Sequence, residues 1–403
     1  MRTSPKIFIL ATIAAFLFNS CAEDPNAGWK NPTGIPSDSQ AGPTPEVIAE
    51  DANAVIPNAN FSPAGKHNVM NLNLTGIANP VTKEWMRLFG TGNAKQNVWL
   101  EVDGKAKGIV VENLADQQVD GTKAEMWADL VFLIDNSGSM NQESDAVARD
   151  VAAWAQNLAA SGLSIRFACV GYGHLGVNGG IDFTDADGIT AFLNRPGKTQ
   201  TQRTVGFEGY NAAELSAAAA GDDSYYTNVN AECGVRALRF ADENFIDYRD
   251  GANRIYVNFT DEFNQPFSNV GGVLVKNEFV SVEFVSNPRY WGTNQGTIHT
   301  VYSGEAGNDA PTAPETALQT GLGYREWPWR LSEYTGGTHM FAPASFAGVN
   351  LDGLPVTGAL QNSISIKFRH IPTRAGETHN VKLTVVSEDG SVKAVKEFTD
   401  VVF

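Results

Sequence analysis

Residues 129–140 read DLVFLIDNSGSM, from Asp129 to Met140. Leu130, Val131, Phe132, Leu133 and Ile134 are consecutive apolar side chains, a pattern that suits a strand covered on both faces. Asp135, Ser137 and Ser139 follow, spaced by Asn136 and Gly138, before an amphipathic helix begins. Three oxygen-bearing side chains thus stand at the C-terminal end of a buried strand, where open α/β sheets bring ligands. The plainer reading makes Ser137 or Ser139 the N-cap of that helix.

Outward from this stretch, strand and helix patterns alternate. Met140, Val147, Val151, Trp154 and Leu158 recur at helical spacing, and Ser161–Gly162 ends the helix. Leu163–Gly173 reads as a second strand, and Asp182–Leu193 as a strand end followed by a helix. Asp182, Asp185 and Asp187 lack the Gly-and-Glu framework of an EF-hand, so Asp185 is read as a helix start. Residues 195–221 read as an Ala-rich insertion over the sheet. Arg254–Asp261 is another apolar strand, ending Thr260–Asp261–Glu262, and Thr297–Gly304 and Leu331–Phe341 supply the late strand, last helix and final strand. The expectation is a doubly wound, mostly parallel, Rossmann-like α/β domain over residues 128–347.

The D-x-S-x-S of Asp135, Ser137 and Ser139 resembles the first loop of a von Willebrand factor type A domain, which in that family belongs to a metal-ion-dependent adhesion site. Family members usually end the later strand in T-D-G, so Asp261 matches the third metal loop, with Glu262 where Gly is usual. The middle loop usually supplies a Thr ahead of a helix ending in Ala-Leu. Here Ala237–Leu238 lie in Glu232–Phe240, and the family register puts Glu232 at the Thr position. The nearest threonine is Thr227; Asp223 is also close. The resemblance therefore implies Asp135, Ser137, Ser139, Asp261 and Thr227 as ligands, with Glu232 the alternative to Thr227. The implied ion is Mg²⁺, or Mn²⁺ or Ca²⁺. Mg²⁺ takes about six oxygens and gives up water reluctantly. One carboxylate and two hydroxyls hold it without neutralising it, so a carboxylate from a protein partner can complete its shell.

On either side of this domain the period changes to two. Val69, Asn71, Asn73 and Thr75 alternate with Met70, Leu72 and Leu74, and Asp103–Gly104 lies between Asn97–Glu101 and Gly108–Val111 as a hairpin turn. Ala359–Phe368, His379–Val386 and Ser391–Phe398 read as further strands. Residues 67–127 and 348–403 are thus expected to form one small all-β sandwich with the α/β domain inserted into it; two separate β modules are the alternative.

The 403-residue chain carries a formal charge of -16, which argues against nucleic acid and anionic membrane surfaces as partners. Arg2 and Lys6, the apolar run Ile7–Phe18 and then Asn19, Ser20 and Cys21 read as a signal peptide over residues 1–20. It resembles a bacterial lipoprotein signal, with Cys21 the lipidated residue. Glu23–Asp24 resemble lipoproteins displayed on the outer membrane of some Gram-negative bacteria. The membrane contact expected is through that lipid alone. Residues 21–66, rich in Pro, Gly, Asn and Ala, read as a flexible tether. Cys169 and Cys233 are too few for a disulfide scaffold and read as buried small hydrophobes, with a pairing in an oxidising periplasm or at the surface as the alternative.

There is no H-E-x-x-H, G-x-S-x-G, Walker loop or G-x-G-x-x-G after a strand, and no general base stands out. The chain is read as a cell-surface or periplasmic lipoprotein, not an enzyme, binding an acidic side chain of a protein ligand through the ion. The alternative is a carbohydrate or matrix binder in which the metal is structural and Tyr225, Tyr226, Tyr290, Trp291, Trp327 and Trp329 make the contact surface.

Overall fold

The computed structural model describes residues 31–116, 126–160, 163–221, 226, 231–270, 273–304, 306–307, 309–312, 314–319, 323–346, 349–371, 374 and 376–403. The signal peptide, Cys21, Ser161–Gly162, Asp223 and Thr227 lie outside these. Residues 31–34 belong to a separate short unit, a turn in which Asn31 Oδ1 accepts from Thr33 N and Oγ1. Everything below concerns residues 35–403.

In chain order, β1 (Asn60–Pro63), β2 (Val69–Leu74), β3 (Val98–Val102), β4 (Lys105–Lys107) and β5 (Ile109–Asn113) come first. Then come β6 (Trp127–Asp135), α1 (Asn141–Ala160), β7 (Ser164–Gly173), β8 (Gly176–Thr184), α2 (Ala186–Leu193) and β9 (Gly206–Glu208). Helices α3 (Ala212–Ala220) and α4 (Gly234–Asn244) precede β10 (Asn253–Thr260), the hairpin β11 (Phe267–Val270) and β12 (Val273–Lys276), and β13 (Thr297–Gly304). A second hairpin, β14 (Thr316–Gln319) and β15 (Gly323–Arg325), leads to α5 (Arg330–Thr335) and β16 (His339–Pro343). The chain finishes with α6 (Pro355–Gln361), β17 (Ile364–Arg369), β18 (Thr378–Val386) and β19 (Lys393–Val402).

Strand β6 is the middle of a seven-stranded sheet of order β16-β13-β10-β6-β7-β8-β9. Its apolar run is buried on both faces. Leu130, Phe132 and Ile134 pack with Val147, Val151 and Trp154 of α1, while Val131 and Leu133 pack with Val235, Leu238 and Phe240 of α4. Each such side chain contributes roughly 1.5–3 kcal/mol on burial, enough together to offset burying the carboxylate that ends the strand. At its start Asp129, fully buried, accepts from Arg166 Nε (3.2 Å) and Nη2 (3.1 Å) and from Arg249 N (2.7 Å) and Nε (2.8 Å).

The doubly wound, mostly parallel α/β architecture expected for this part is corrected by the strand directions. The sheet is mixed: β8 runs antiparallel to β7, with two register shifts, and β9 adds parallel to β8 at the edge. Around it lie two four-stranded and two two-stranded antiparallel sheets, so the molecule is β-rich. The physical cause sits in Gly171–Gly180. Only His174–Leu175 separate β7 from β8, and Gly176 turns there at φ +93°, so the chain reverses as a hairpin where a crossover helix would be needed to stay parallel. A Cβ on Gly180 would lie 2.6 Å from Cys169 O, so the close pairing needs glycine.

The two four-stranded sheets, β1-β2-β17-β5 and β19-β18-β3-β4, share one core that includes Leu72, Ile366, Ile109, Leu100, Leu383 and Phe398. Strands from both parts of the chain join in each: β2 pairs with β17, and β3 with β18. Asp103 (φ +50°) and Gly104 (φ +73°) make the β3–β4 turn with both residues left-handed, as Asp-Gly favours. Residues 359–361, read as strand, instead end helix α6. Pro355 sits in its first turn, and Thr357 accepts from Trp154 Nε1 at 2.8 Å. Asp185 does cap α2, accepting from Gly188 N at 2.8 Å, and Cys169 and Cys233 are buried free thiols.

Candidate functional site

Parallel pairing of β6 with β10 opposes Ile134 to Phe259, so Asp135 emerges beside Thr260 and Asp261. Residues distant in sequence then bond into one cluster. Ser137 N donates to Asp135 Oδ1 (2.9 Å), which closes the loop back on the strand end. Thr260 Oγ1 donates to Asp135 Oδ2 (3.0 Å) and accepts from Glu262 N (3.1 Å). Ser139 Oγ donates to Asp261 Oδ1 (3.1 Å), and the Ser137 and Ser139 hydroxyls lie 3.0 Å apart. Asp135 and Ser137 are buried, while Ser139 is exposed, so the cluster opens to solvent on the Ser139 side.

The loop is held from behind by Asn136. Its amide donates to Asn178 Oδ1 (2.7 Å) and Thr204 Oγ1 (2.9 Å), and Asn178 Nδ2 returns a bond to Asn136 Oδ1 (2.9 Å). A Cβ on Gly173 would meet Asn136 Oδ1 at 2.8 Å, so glycine there makes room for the amide pair.

Glu232, buried just before α4, approaches the same cluster and lies 3.1 Å from His174 Nε2 through Oε1. Burial, then the charge of Glu232, and to a lesser degree that of Asp261, push the Asp135 carboxyl well above the usual carboxylate range. Glu232 is raised by burial and by Glu262 and Asp261, against which a hydrogen bond from Ser137 acts. Asp261 is raised to about 6, again mainly by burial, with Ser139 opposing. Among the described residues no Lys or Arg pairs with Asp135, Glu232 or Asp261. Asp135 and Asp261, linked through Ser137 and Ser139 and unpaired with Lys or Arg among the described residues, present oxygen donors of the kind a hard divalent ion takes. No three His, Cys, Asp or Glu side chains among the described residues surround one point, so serine hydroxyls and water would have to complete the shell.

Of the expected ligands, Asp135, Ser137, Ser139 and Asp261 come together and Glu232 joins their field, while Thr227 lies outside the described residues. Sequence reasoning passed over His174, and over Asn136, Asn178 and Thr204. Asn136 stood inside the quoted motif, but no spacing links it to residues 178 and 204. Of the aromatics suggested as a contact surface, Tyr226, Trp291 and Trp329 are buried, Trp327 stacks on Trp329, and Tyr290 is exposed; Tyr225 is outside the described residues.

No family model and no curated protein matches the chain. Among solved structures, a pilus adhesin, SpaC from Lactobacillus rhamnosus GG, is similar at 11% identity and TM-score 0.29, over 90% of this chain and 56% of that one. The human COPII-coat protein Sec24c is similar at 10% identity and TM-score 0.29, over 86% and 53%. Proximal thread matrix protein 1 from the mussel byssus is similar at 13% identity and TM-score 0.24, over 45% and 39%. The chain thus spans about half the length of these proteins, or less.

Proposed function

We propose that this chain is a cell-surface binding protein that holds a divalent cation, Mg²⁺ or in its place Mn²⁺ or Ca²⁺, at the ends of β6 and β10. Asp135, Ser137, Ser139 and Asp261 would hold it, with Glu232 or Thr227 from the segment before α4. The bound ion supplies an electron-poor centre that an acidic side chain of a protein ligand completes. The observation that carries this reading is the oxygen cluster of Asp135, Ser137, Ser139 and Asp261, in which the buried Asp135 lies among other carboxylates and pairs with no Lys or Arg among the described residues. The likeness of residues 135–139 to the first loop of a metal-ion-dependent adhesion site points the same way. Attachment through lipidated Cys21 to the outer membrane of a Gram-negative cell is part of the proposal. No helix among the described residues is long and apolar enough to cross a membrane.

Calorimetric titration of the full chain with Mg²⁺, Mn²⁺ and Ca²⁺ tests it, alongside Asp135→Ala. Saturable binding in the wild type that disappears in the variant is the expected result. No binding in either overturns the cation reading. Binding whose removal by chelator unfolds the protein makes the ion structural and favours the carbohydrate or matrix reading.

A further inference from the structure

The sandwich carries a second candidate site, built from other residues than the carboxylate cluster. A cavity of about 640 Å³ is lined by residues 36–38, the β3–β4 hairpin, the end of β17 and the start of β18. That volume falls within the range of small-molecule pockets. Along one side the rings of His370 and His379 meet edge-on (4.3 Å between centroids), with Phe403 stacked on His379 (4.9 Å), giving an aromatic wall against which an organic body can lie.

Three acids, Asp38, Asp103 and Glu377, and three bases, Lys105, Lys107 and Arg369, line this cavity. Asp38 is held by Lys107 Nζ (2.5 Å) and Gly108 N (3.1 Å), and Asp103 by His379 Nδ1 (2.7 Å) and Asn380 N (2.9 Å). Lys105 and Arg369, which also line the cavity, have no ion pair or side-chain hydrogen bond to another described residue. His370 Nε2 is buried and has no hydrogen-bond partner. In a chain of formal charge -16, free cations over a lined cavity beside an unsatisfied imidazole nitrogen stand out from the general surface.

We infer that this cavity binds a small organic anion, a carboxylate- or phosphate-bearing molecule of about sugar size. Arg369 and Lys105 take the oxyanion, His370 Nε2 gives or accepts one hydrogen bond, and the wall made by the His370 and His379 rings receives the body. Arg369 suits the role because its fork grips both oxygens of a carboxylate or phosphate at once.

The test is equilibrium binding at fixed ionic strength to the full chain, using glucuronate and glucose 6-phosphate as organic probes and acetate and inorganic phosphate as their bare counterparts. The expected result is saturable binding of at least one organic probe, tenfold or more tighter than its bare counterpart. Arg369→Gln should weaken it at least tenfold and Lys105→Gln severalfold. Both side chains are exposed, so unchanged melting curves would show that the variants fold. Absence of saturable binding, equal affinity for bare and organic anions, or affinity unmoved by Arg369→Gln would each overturn the inference.

Discussion

Thr260 Oγ1 donates a 3.0 Å hydrogen bond to Asp135 Oδ2, which joins the ends of two neighbouring parallel strands at the point where the carboxylate leaves the core. The same hydroxyl accepts from Glu262 N, so one side chain fixes both the acid of the first loop and the turn that presents Asp261. Thr260→Val keeps the shape and removes both bonds. Cation affinity should fall about tenfold, roughly 1–1.5 kcal/mol for a lost bond to a charged group. Thr260→Ser should restore most of it, as read by titration calorimetry.

Asp135→Asn separates stability from binding. With no cation present the buried carboxyl is held among like charges, so the amide should raise the melting temperature by a few degrees, about 2–4 °C per kcal/mol. It should also abolish divalent-ion binding. Differential scanning calorimetry with chelator, then with Mg²⁺, reads both effects. A melting temperature lowered in chelator would contradict the charge argument.

The pH dependence has a definite sign. Asp135 holds its proton more tightly folded than unfolded, because burial and then Glu232 raise it from 3.8 to about 8. Across that window the folded state carries more protons, so its contribution to stability is full at low pH and is lost as pH rises. The wild type without metal should therefore lose stability between pH 5 and pH 7 faster than Asp135→Asn. Denaturant midpoints of the two proteins at several pH values measure that difference in slope, and parallel slopes would contradict it.

Glu143, buried in α1, accepts from Ser303 Oγ (2.8 Å) and from Ser345 N (2.5 Å). Ser345 (φ +64°) and Phe346 (φ +50°) are both left-handed, a conformation that side chains other than glycine adopt at some cost. Glu143→Ala should destabilise by about 2 kcal/mol through the two stranded donors, and Glu143→Gln by clearly less. Urea denaturation gives both values.

At the opposite end of β6, Asp129→Ala should cost about 3–5 kcal/mol, since Arg166 and Arg249 would keep their partly buried charges without the carboxylate between them. The exposed pair Arg149–Asp150 is the control, and its removal should change stability by well under 1 kcal/mol.

Much of this arrangement is legible from local pattern. Leu130–Ile134 announce a doubly covered strand, the spacing of Met140 to Leu158 announces α1, and Asp103–Gly104 announces its turn. What the sequence hides is direction and pairing. Nothing in LSIRFACVGYG says that the next strand runs back along β7; only the glycines at 173 and 176, seen with a two-residue connection, permit it. Ala359–Asn362 has apolar residues that fit either period, and Pro355 with the Trp154–Thr357 bond settles it as helix. In the candidate site, Asp135, Ser137, Ser139 and Asp261 stood out because strand ends are recognisable. His174 and Asn178 did not, because their relevance arises only from the hairpin that sequence reading missed. Lys105, Arg369 and His370 were likewise mute until β3, β4, β17 and β18 brought them around one cavity.

The interleaving of β2 with β17 and of β3 with β18 has a consequence for the order of assembly. Leu74 faces Ile364 and Leu100 faces Leu383, contacts between opposite ends of the polypeptide. Synthesis delivers β2 and β3 long before these neighbours exist, so each strand waits with an open edge until β17 and β18, which begin at Ile364 and Thr378, arrive. If the intervening seven-stranded sheet folds first, it shortens the loop that the sandwich must close, whose two crossings meet where Leu114 N donates to Ser363 O (2.9 Å). A chain interrupted between β16 and β17 would therefore keep its central sheet and present bare strand edges, which makes the arrival of β17 and β18 the step that protects this molecule from self-association.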